Sequence, residues 1–398
     1  MNQNQLVVKI QTPLMLGDTD QTNSVAPYQI GNKTVTQEKI INAHLGVKPF
    51  KAMLRWWFRA LHGWSSELGD AEKELFGSTD KAAPVKIKIE HDLEPVKWNR
   101  SFRGKSYGEY TFSRGTGRYD GLRYFGYTNF FQPTKEGIVT IREYFEPEES
   151  FTIKLLGPPK LVSRYLFLFW FAIHFGGFGS RSRRCFGNLQ IENARKFNVK
   201  GSSFFFKNSF MSLDDYKKSI ANNMGLVKVF FPNAYNGSNE ISYFKNAKLF
   251  LSEPIEKDGW SEAINFAGVT MQKFRALAPP EYEVLRRPPY TNIELVRPIF
   301  GLPIQFRFSN PINEVMLNNV APDGTESRLA SPIMVSLVKI RGRFHVQYLI
   351  LSRKYSSLNI QAGKTPVQLA PNAISKFEKH LDSFEFEETG EFHYEKIF

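Results

Sequence analysis

The chain has 398 residues, of which 42% are hydrophobic and 23% charged, a balance typical of a folded soluble protein. It excludes global disorder, because a chain of this length can bury a large core. Lysine and arginine outnumber aspartate and glutamate by 52 to 39, a formal charge of +13. Such a surplus favours a polyanionic partner, with nucleic acid ahead of an anionic membrane surface.

The single cysteine, Cys185, excludes a disulfide framework and a multi-cysteine zinc site. One cysteine fits a reducing compartment, and the N-terminus lacks the basic and apolar regions of a signal peptide. The most apolar stretch, residues 161–175, is shorter than the roughly 20 residues of a membrane-spanning helix. We therefore expect a cytoplasmic protein with no membrane partner.

Hydrophobic patterns in the first half predict an ordered set of elements. The predicted strands are 5–16, 85–90, 138–144, 151–156 and 188–192, the predicted helices are 50–62 and 161–175, and polar residues 18–32 are predicted to form a loop. If one of the three middle strands belongs to an insertion, the order is that of a ferredoxin-like α+β domain. One face of such a sheet stays open, and proteins with this fold often lay RNA across it.

The first predicted helix carries a stripe of positive charge. Lys51, Arg55 and Arg59 recur on one side of the helix, separate from the apolar face, and no acid lies between Phe50 and His62. The stripe is either a solvated face or a surface that contacts phosphate, since solvated faces usually mix both signs of charge. We predict RNA contacts for these three cations.

A glycine-rich segment, Gly176–Gly187, follows the second helix. It is not a dinucleotide-binding loop, because Ser182 replaces the third glycine and the segment precedes a strand rather than a helix. Either it is only a tight connection, or its flexible backbone approaches phosphates. We predict RNA-binding residues here at Gly177, Gly179, Arg181, Arg183 and Arg184. Cys185 is expected to serve packing.

A second basic segment, residues 98–131, alternates arginines with aromatic rings and glycines. It is too rich in glycine for a helix, and a long insertion of this kind is usually functional or disordered. Arginines that hold phosphates beside rings that stack on bases suit single-stranded RNA, and a protein interface is the alternative. The predicted RNA-binding residues are Arg100, Arg103, Arg114 and Arg118.

A domain boundary is predicted at the junction rich in Phe and Ser near residue 197, which gives domains of residues 1–196 and 197–398. In the second half, helices are predicted at 213–223, 260–277 and 373–384, and strands at 248–251, 301–308, 333–340 and 344–351. These elements predict a second, more divergent ferredoxin-like domain.

Two of these motifs resemble a known family. The helix that begins Phe50-Lys-Ala-Met-Leu-Arg-Trp-Trp and the loop Gly176–Gly187 resemble the RAMP proteins that form the first subunit of the Cmr module, the type III-B CRISPR effector complex. The stretches 300–304 and 328–333 are similar more loosely. The resemblance implies two ferredoxin-like domains with long insertions and a non-catalytic subunit that contacts the 3′ part of the guide RNA. It also implies help in target RNA capture and docking to other Cmr subunits.

Catalytic and metal-binding patterns do not stand out in the sequence. The seven histidines lack paired ligand spacing, Asp18 and Asp20 are more typical of a solvated loop than of a magnesium site, and no nucleophile and base can be assigned. We expect no cofactor, no metal and no small-molecule substrate. The alternative to an RNA-binding subunit is a metal-independent endoribonuclease on the same fold, with His44 or His62 as the base.

Overall fold

The computed structural model describes residues 4–30, 33–98, 109–112, 115–126, 136–199, 202–207, 209–255, 259–277, 281–290, 293–309, 312–321, 323–355, 358–386, 390–391 and 393–398. The elements up to residue 206 are β1 (Gln5–Ile10), β2 (Gly17–Ile30), β3 (Lys33–Ala43), α1 (Val47–His62), α2 (Leu68–Phe76), β4 (Lys86–Glu90), β5 (Val96–Lys97), β6 (Glu109–Phe112), β7 (Gly115–Arg118), α3 (Gly121–Gly126), β8 (Ile138–Tyr144), β9 (Ser150–Leu156), α4 (Pro159–Phe175), β10 (Leu189–Ile191), β11 (Arg195–Val199) and β12 (Ser202–Phe206).

The rest of the chain continues the same mixture of helices and strands. Its elements are α5 (Leu213–Met224), α6 (Val227–Phe230), β13 (Tyr243–Ser252), α7 (Trp260–Leu277), α8 (Glu281–Arg286), β14 (Glu294–Leu295), β15 (Ile304–Ser309), β16 (Ile312–Val320), β17 (Glu326–Ser327), β18 (Ile333–Ile340), β19 (Arg343–Ser352), β20 (Ile360–Ala362), β21 (Thr365–Leu369), α9 (Ala373–Asp382), β22 (Glu385–Phe386), β23 (Gly390–Glu391) and β24 (Tyr394–Lys396). A short 3-10 turn covers Arg297–Phe300.

The first unit is a ferredoxin-like domain. Its sheet has the strand order β10-β1-β9-β4, every neighbouring pair is antiparallel, and α1 and α4 cover one face. The alternating burial along β1 and β9 sends Leu6, Val8 and Ile10 into the core, as the period of a half-buried strand requires. The predicted order of elements is therefore confirmed, and the strand that belongs to an insertion is β8.

That insertion corrects one prediction. Residues 18–32 were expected to form a loop, but β2 pairs with β3 in a long antiparallel ladder, and β3 pairs in parallel with β8. The side chains of Gln21, Thr22 and Asn23 are exposed. Because this ribbon gains its stability from strand pairing and offers little surface to a core, it lacks the apolar alternation by which strands are recognised in a sequence.

A second ferredoxin-like unit follows in the second half of the chain. Its sheet has the order β18-β19-β13-β24, again with antiparallel neighbours, and α7 and α9 pack on one face. The helices predicted at 260–277 and 373–384 and the strands predicted at 333–340 and 344–351 are confirmed. Arg341 and Gly342 join the strands with φ values of 53° and 77°, as a tight hairpin turn requires.

The two units share a helix layer. One face of the second sheet packs on α1 and α4, so Leu249, Met334 and Leu349 join the core of the first unit, while the opposite face packs on α7 and α9. The layers are therefore sheet, helices, sheet, helices. This arrangement explains why α4 is buried on every side from Tyr165 to Phe175, since a helix covered on two faces has no solvent face.

Two further groups of elements surround this stack. The strands β14 to β17, β20 and β21 form a separate sheet with its own small core. The segment from β11 to α6 packs on the core of the first unit, next to α4. The division into residues 1–196 and 197–398 therefore stays a prediction, because residues after 196 still belong to the first core. Among the helices that the structure describes, none is both long and apolar enough to cross a membrane.

Candidate nucleic-acid interface

The glycine-rich loop Gly176–Gly187 runs from α4 to β10 in a tightly fixed path. Phe178 donates its backbone N–H to Gly187 O at 2.9 Å, and Ser180 donates to Met15 O at 2.8 Å. A Cβ at Gly179, whose φ is +80°, would lie 2.3 Å from that Met15 oxygen, and one at Gly177 would lie 2.5 Å from Phe186 O. Both glycines are therefore required by packing, and contact of either with RNA stays a prediction.

The same loop is attached to the second unit. Cys185 donates its backbone N–H to Val335 O at 2.9 Å, and Val335 donates to Arg183 O at 3.2 Å, so the loop lies against β18 as a short parallel bridge. Asn188 Oδ1 accepts a hydrogen bond from Leu337 N at 3.1 Å. The Cys185 side chain is buried, and burial raises the pKa of its thiol. Cys185 thus occupies a packing position, as the sequence predicted.

The three loop arginines have different surroundings. Arg183 donates to Ser331 O at 2.7 Å and lies over the Trp56 ring. Burial, and then the charges of Arg184 and Arg353, lower the pKa of Arg183 to about 10, so it is still charged at neutral pH. Arg183 therefore ties α1 to the second unit and is held inside the structure.

Arg184 follows Arg183 directly in the loop, and Arg181 precedes Arg183 by two residues. Arg184 donates to Met271 Sδ at 2.9 Å and lies over the Phe125 ring, and burial is the main cause of its lowered pKa. Arg181 adopts a positive φ of 60° and closes a turn in which its carbonyl accepts from Arg184 N. Such a backbone conformation costs energy outside glycine and concentrates at functional sites.

These arginines line a cleft of about 700 Å³ between the loop and the second half of the chain. Arg275 of α7 joins them, and the opposite wall is formed by residues 300–305 and 329–331. The charged side chains among the described lining residues are all arginines. We call this the arginine cleft; it is defined by Arg181, Ser182, Arg183, Arg184, Arg275 and the two wall segments.

The wall brings together the two C-terminal stretches that resembled the family only loosely. Leu302 N donates to Leu329 O at 2.8 Å, and Leu329 N donates to Leu302 O at 3.1 Å, so residues 300–304 and 328–333 meet across the cleft from the glycine-rich loop. A pocket whose charged lining side chains are cationic attracts anions, and several arginines can hold phosphate oxygens in bidentate pairs.

The basic stripe of α1 has an acidic partner on the next helix, which the sequence of α1 did not indicate. Arg59 donates from Nη2 to Glu72 Oε1 at 2.8 Å and also from Nε to Oε2, while Arg55 Nε lies 3.6 Å from the same carboxylate. Arg55 also donates to Gly77 O at 2.9 Å. The sequence showed no acid within α1, but α2 supplies one. Lys51 is half-buried, and burial followed by the charge of Arg55 lowers its pKa. RNA contact of the stripe stays a prediction.

The basic and aromatic segment 98–131 is described only in part. Arg100, Arg103 and Arg114 lie outside the described residues, and Arg118 is exposed. Residues 121–126 form the helix α3, which corrects the expectation that the segment is too rich in glycine for a helix. Asn265 Oδ1 accepts from the N–H groups of residues 121 and 122, and the segment is thereby fixed on α7.

Packing of α3 explains its glycine. A Cβ at Gly121 would lie 1.8 Å from Asn265 O, and one at Gly268 would lie 2.2 Å from Gly121 O, so the two helices approach as closely as backbones can. Leu122 and Phe125 are buried beside them. The helix α3 is therefore part of the core of the second unit.

The outer face of the first sheet offers no stacking platform. Lys88 and Lys154 both pair with Glu90, at 2.7 and 2.5 Å, and Lys9 pairs with Glu148 at 2.8 Å. The described strands β1, β4, β9 and β10 place no aromatic side chain on this face. Sheets that read single-stranded RNA stack bases on such rings, so the arginine cleft is the better candidate.

The histidines of the alternative, enzymatic hypothesis lie at opposite ends of α1. His44 is exposed before the helix begins, whereas His62 is buried at its end, and burial lowers the pKa of His62. At 1.5 Å per residue the 16-residue α1 is about 24 Å long, and neither histidine lines the arginine cleft. Within the described residues, no three His, Cys, Asp or Glu side chains gather in a metal-binding group. The side chains of Asp18 and Asp20 lie outside the described set.

Sequence reasoning missed Arg275 and the wall opposite the loop. Arg275 is about 90 residues beyond the loop in the chain, and nothing in its local pattern marks it. The one available signal was the looser resemblance of the stretches 300–304 and 328–333, which the fold now places together at the cleft.

Two ferredoxin-like units, with a glycine-rich loop between the second helix and the last strand of the first, define a RAMP-type protein, and the family model of the RAMP superfamily matches residues 48–190. A CRISPR system Cmr subunit, Cmr1-1 of Pyrococcus furiosus, is 27% identical over 305 residues, 74% of this chain and 76% of the relative. Subunit Cmr1-2 of that organism is 30% identical over 167 residues, 37% of this chain and 82% of the relative. The chain belongs to the Cmr1 family of RAMP proteins.

A solved structure shows the same fold over nearly the whole chain. The crystal structure of Cmr1 from Pyrococcus furiosus in its apo form has a TM-score of 0.57 and 14% identity. The match covers 99% of this chain and 98% of the solved one. At that identity the likeness establishes the shared α+β fold of two ferredoxin-like units with long insertions.

Proposed function

We propose that the chain is an RNA-binding, non-catalytic subunit of a type III-B CRISPR effector complex. It contacts the 3′ part of the guide RNA, assembles with other Cmr subunits and helps to capture target RNA. The relatives support the complex, since both are named as Cmr subunits. The arginine cleft supports the RNA, because its charged lining residues are all cationic. That charge pattern is the observation that carries the proposal.

The cleft suits the sugar–phosphate backbone of RNA better than a particular base. Arg181 lies on a turn of the glycine-rich loop and lines the cleft beside Ser182, and a guanidinium holds phosphate oxygens without reading the base. The guide would supply sequence specificity through base pairing, so the protein need only hold the backbone and its shape. Binding is then expected to be tolerant of sequence and sensitive to salt.

A non-catalytic role agrees with the placement of the histidines. His44 and His62 lie at opposite ends of α1 and outside the cleft, so neither is placed to take a proton from RNA bound there. Incubation of the full chain with RNA in EDTA addresses this point. Specific cuts that disappear in His44→Ala or His62→Ala would replace the proposal with the enzymatic one.

Fluorescence anisotropy with labelled oligouridylate, measured at several salt concentrations, tests the RNA-binding proposal. Arg181→Gln is expected to weaken binding to unrelated single strands alike and to reduce the slope of log K against log salt by about 0.7, the value for one phosphate contact. Arg287→Gln is the matched control, since Arg287 is exposed and lies outside the cleft lining. Equal affinities and slopes for the two variants and the parent would contradict the proposal.

A further inference from the structure

The arginine cleft has two walls of different chemistry. The cationic wall comes from the glycine-rich loop and from Arg275 of α7. The facing wall is mainly apolar: Leu302 and Leu329 are buried, Ile304 is half-buried and Pro303 is exposed, while Gln305 and Ser331 are its polar side chains. A charged wall suits a phosphate, whereas an apolar wall suits the flat face of a base or a ribose.

Arg275 is held in place for this task by residues from both halves of the chain. Its Nη1 donates to the Tyr124 hydroxyl at 2.5 Å, its guanidinium lies over the Tyr124 ring, and its backbone O accepts from Arg297 Nη2 at 3.1 Å. An arginine fixed before its ligand arrives loses less side-chain freedom on binding. The second unit therefore supplies a preorganised cation, and the separate sheet with its own small core supplies the facing wall.

The size of the cleft is comparable to that of a small-ligand pocket. Its volume of about 700 Å³ falls in the range of pockets that enclose one small ligand, about 300–1,000 Å³. An RNA duplex presents its phosphates on the outside and keeps its bases stacked inside, so a paired base cannot reach the apolar wall. An unpaired nucleotide can turn its base to one wall and its phosphate to the other.

We infer that the arginine cleft is a site for unpaired RNA nucleotides, in which Arg275 holds phosphate and the wall around Ile304 contacts the base or ribose. This inference rests on the proposed function. It adds Arg275 and the wall around Ile304 to the binding site, and it adds a preference for unpaired over paired RNA. The second unit thus contributes to RNA binding directly, and the site recognises guide or target nucleotides outside the paired region.

The test compares the full chain and its variants on two probes, a labelled oligouridylate and its blunt duplex with oligoadenylate. The parent is expected to bind the single strand more tightly. Arg275→Gln is expected to weaken single-strand binding about tenfold, the loss of one charge-assisted hydrogen bond, and to reduce the salt slope by about 0.7. Ile304→Thr is expected to weaken single-strand binding several-fold without a change in slope, because it removes apolar contact and no charge.

Matched controls keep the result interpretable. Arg287→Gln makes the same change of charge outside the cleft, and Ile293→Thr makes the same apolar change at a half-buried isoleucine that packs on the same small core. Thermal unfolding of each variant checks that it is folded. Weaker binding by Arg275→Gln and Ile304→Thr, with both controls unaffected, supports the inference.

Three outcomes would contradict the inference or the proposed function, and they can be told apart. Equal affinity of the parent for single strand and duplex overturns the selectivity. A loss with Arg181→Gln alone, while Arg275→Gln and Ile304→Thr match their controls, overturns the inference and leaves the proposed function standing. Failure of the parent to bind either probe overturns the proposed function itself.

Discussion

Gly179 offers the sharpest test of the loop structure. Replacement by alanine places a Cβ 2.3 Å from Met15 O and 2.8 Å from Leu16 Cδ2, at a residue whose φ is +80°. The left-handed conformation alone costs a non-glycine residue about 1–2 kcal/mol. The nearest neighbour is a backbone oxygen, so the loop or the connection between β1 and β2 that carries Met15 must move, at a cost of about 1–3 kcal/mol for overpacking.

The movement would also break the hydrogen bond from Ser180 N to Met15 O, worth about 1 kcal/mol. The sum is a loss of about 3–6 kcal/mol in the free energy of unfolding. Gly342 supplies the matched control: its φ is +77°, and none of the described atoms lies within 4 Å of an added Cβ. Gly342→Ala is therefore expected to lose only the conformational part, about 1–2 kcal/mol.

Urea denaturation of both variants measures this difference, and RNA binding measures its consequence. Because Arg181 lies two residues beyond Gly179 on the same loop, Gly179→Ala is expected to weaken oligouridylate binding, whereas Gly342→Ala is not. If both variants lose the same stability, the close approach to Met15 is not what requires glycine. If Gly179→Ala binds RNA like the parent, the loop has no part in the interface.

Two further predictions concern an ion pair and a buried histidine. Arg59→Gln removes one of the two arginines that pair with Glu72 among the described residues, so it is expected to lower the free energy of unfolding by about 1–2 kcal/mol, less than for a fully buried pair because Arg59 is half-exposed. Urea denaturation measures this loss, and RNA affinity of the same variant tests the predicted contact of Arg59 with RNA, which an unchanged affinity would contradict. Burial lowers the pKa of His174 from 6.5 to about 4, so the unfolded chain binds a proton before the folded chain does as the pH falls. The contribution of His174 to the free energy of unfolding is complete above pH 6.5 and is expected to decline by about 3 kcal/mol towards pH 4. If the free energy of unfolding of His174→Gln falls with pH as steeply as that of the parent, the assignment to His174 is wrong.

Local pattern was enough to predict most of the first unit. The buried face of α1, the alternation in β9 and the fully apolar α4 each depend on residues within a single element, and these elements were found. The ribbon of β2 and β3 was missed because strand pairing stabilises it without a strong apolar pattern.

The contacts that decide the site come from distant parts of the chain. Glu72 neutralises Arg59 from the next helix, and Asn265 fixes α3 from about 140 residues away. Arg275 reaches the glycine-rich loop only because the second sheet stacks on the first unit. A single sequence shows which chemical groups these residues carry, but it does not show which of them lie close together in the fold.

The shared helix layer makes the two halves of the chain dependent on each other. Phe171 of α4 packs against Phe244 of β13 with ring centroids 5.3 Å apart, and Trp57 of α1 contacts the same ring at 6.1 Å. A fragment that ended after the first ferredoxin-like unit would expose Trp57 and Phe171 to water as a hydrophobic patch. Such a half-chain is expected to aggregate on expression. The intact chain is expected to unfold in one cooperative step, so the two halves are not suited to separate assays.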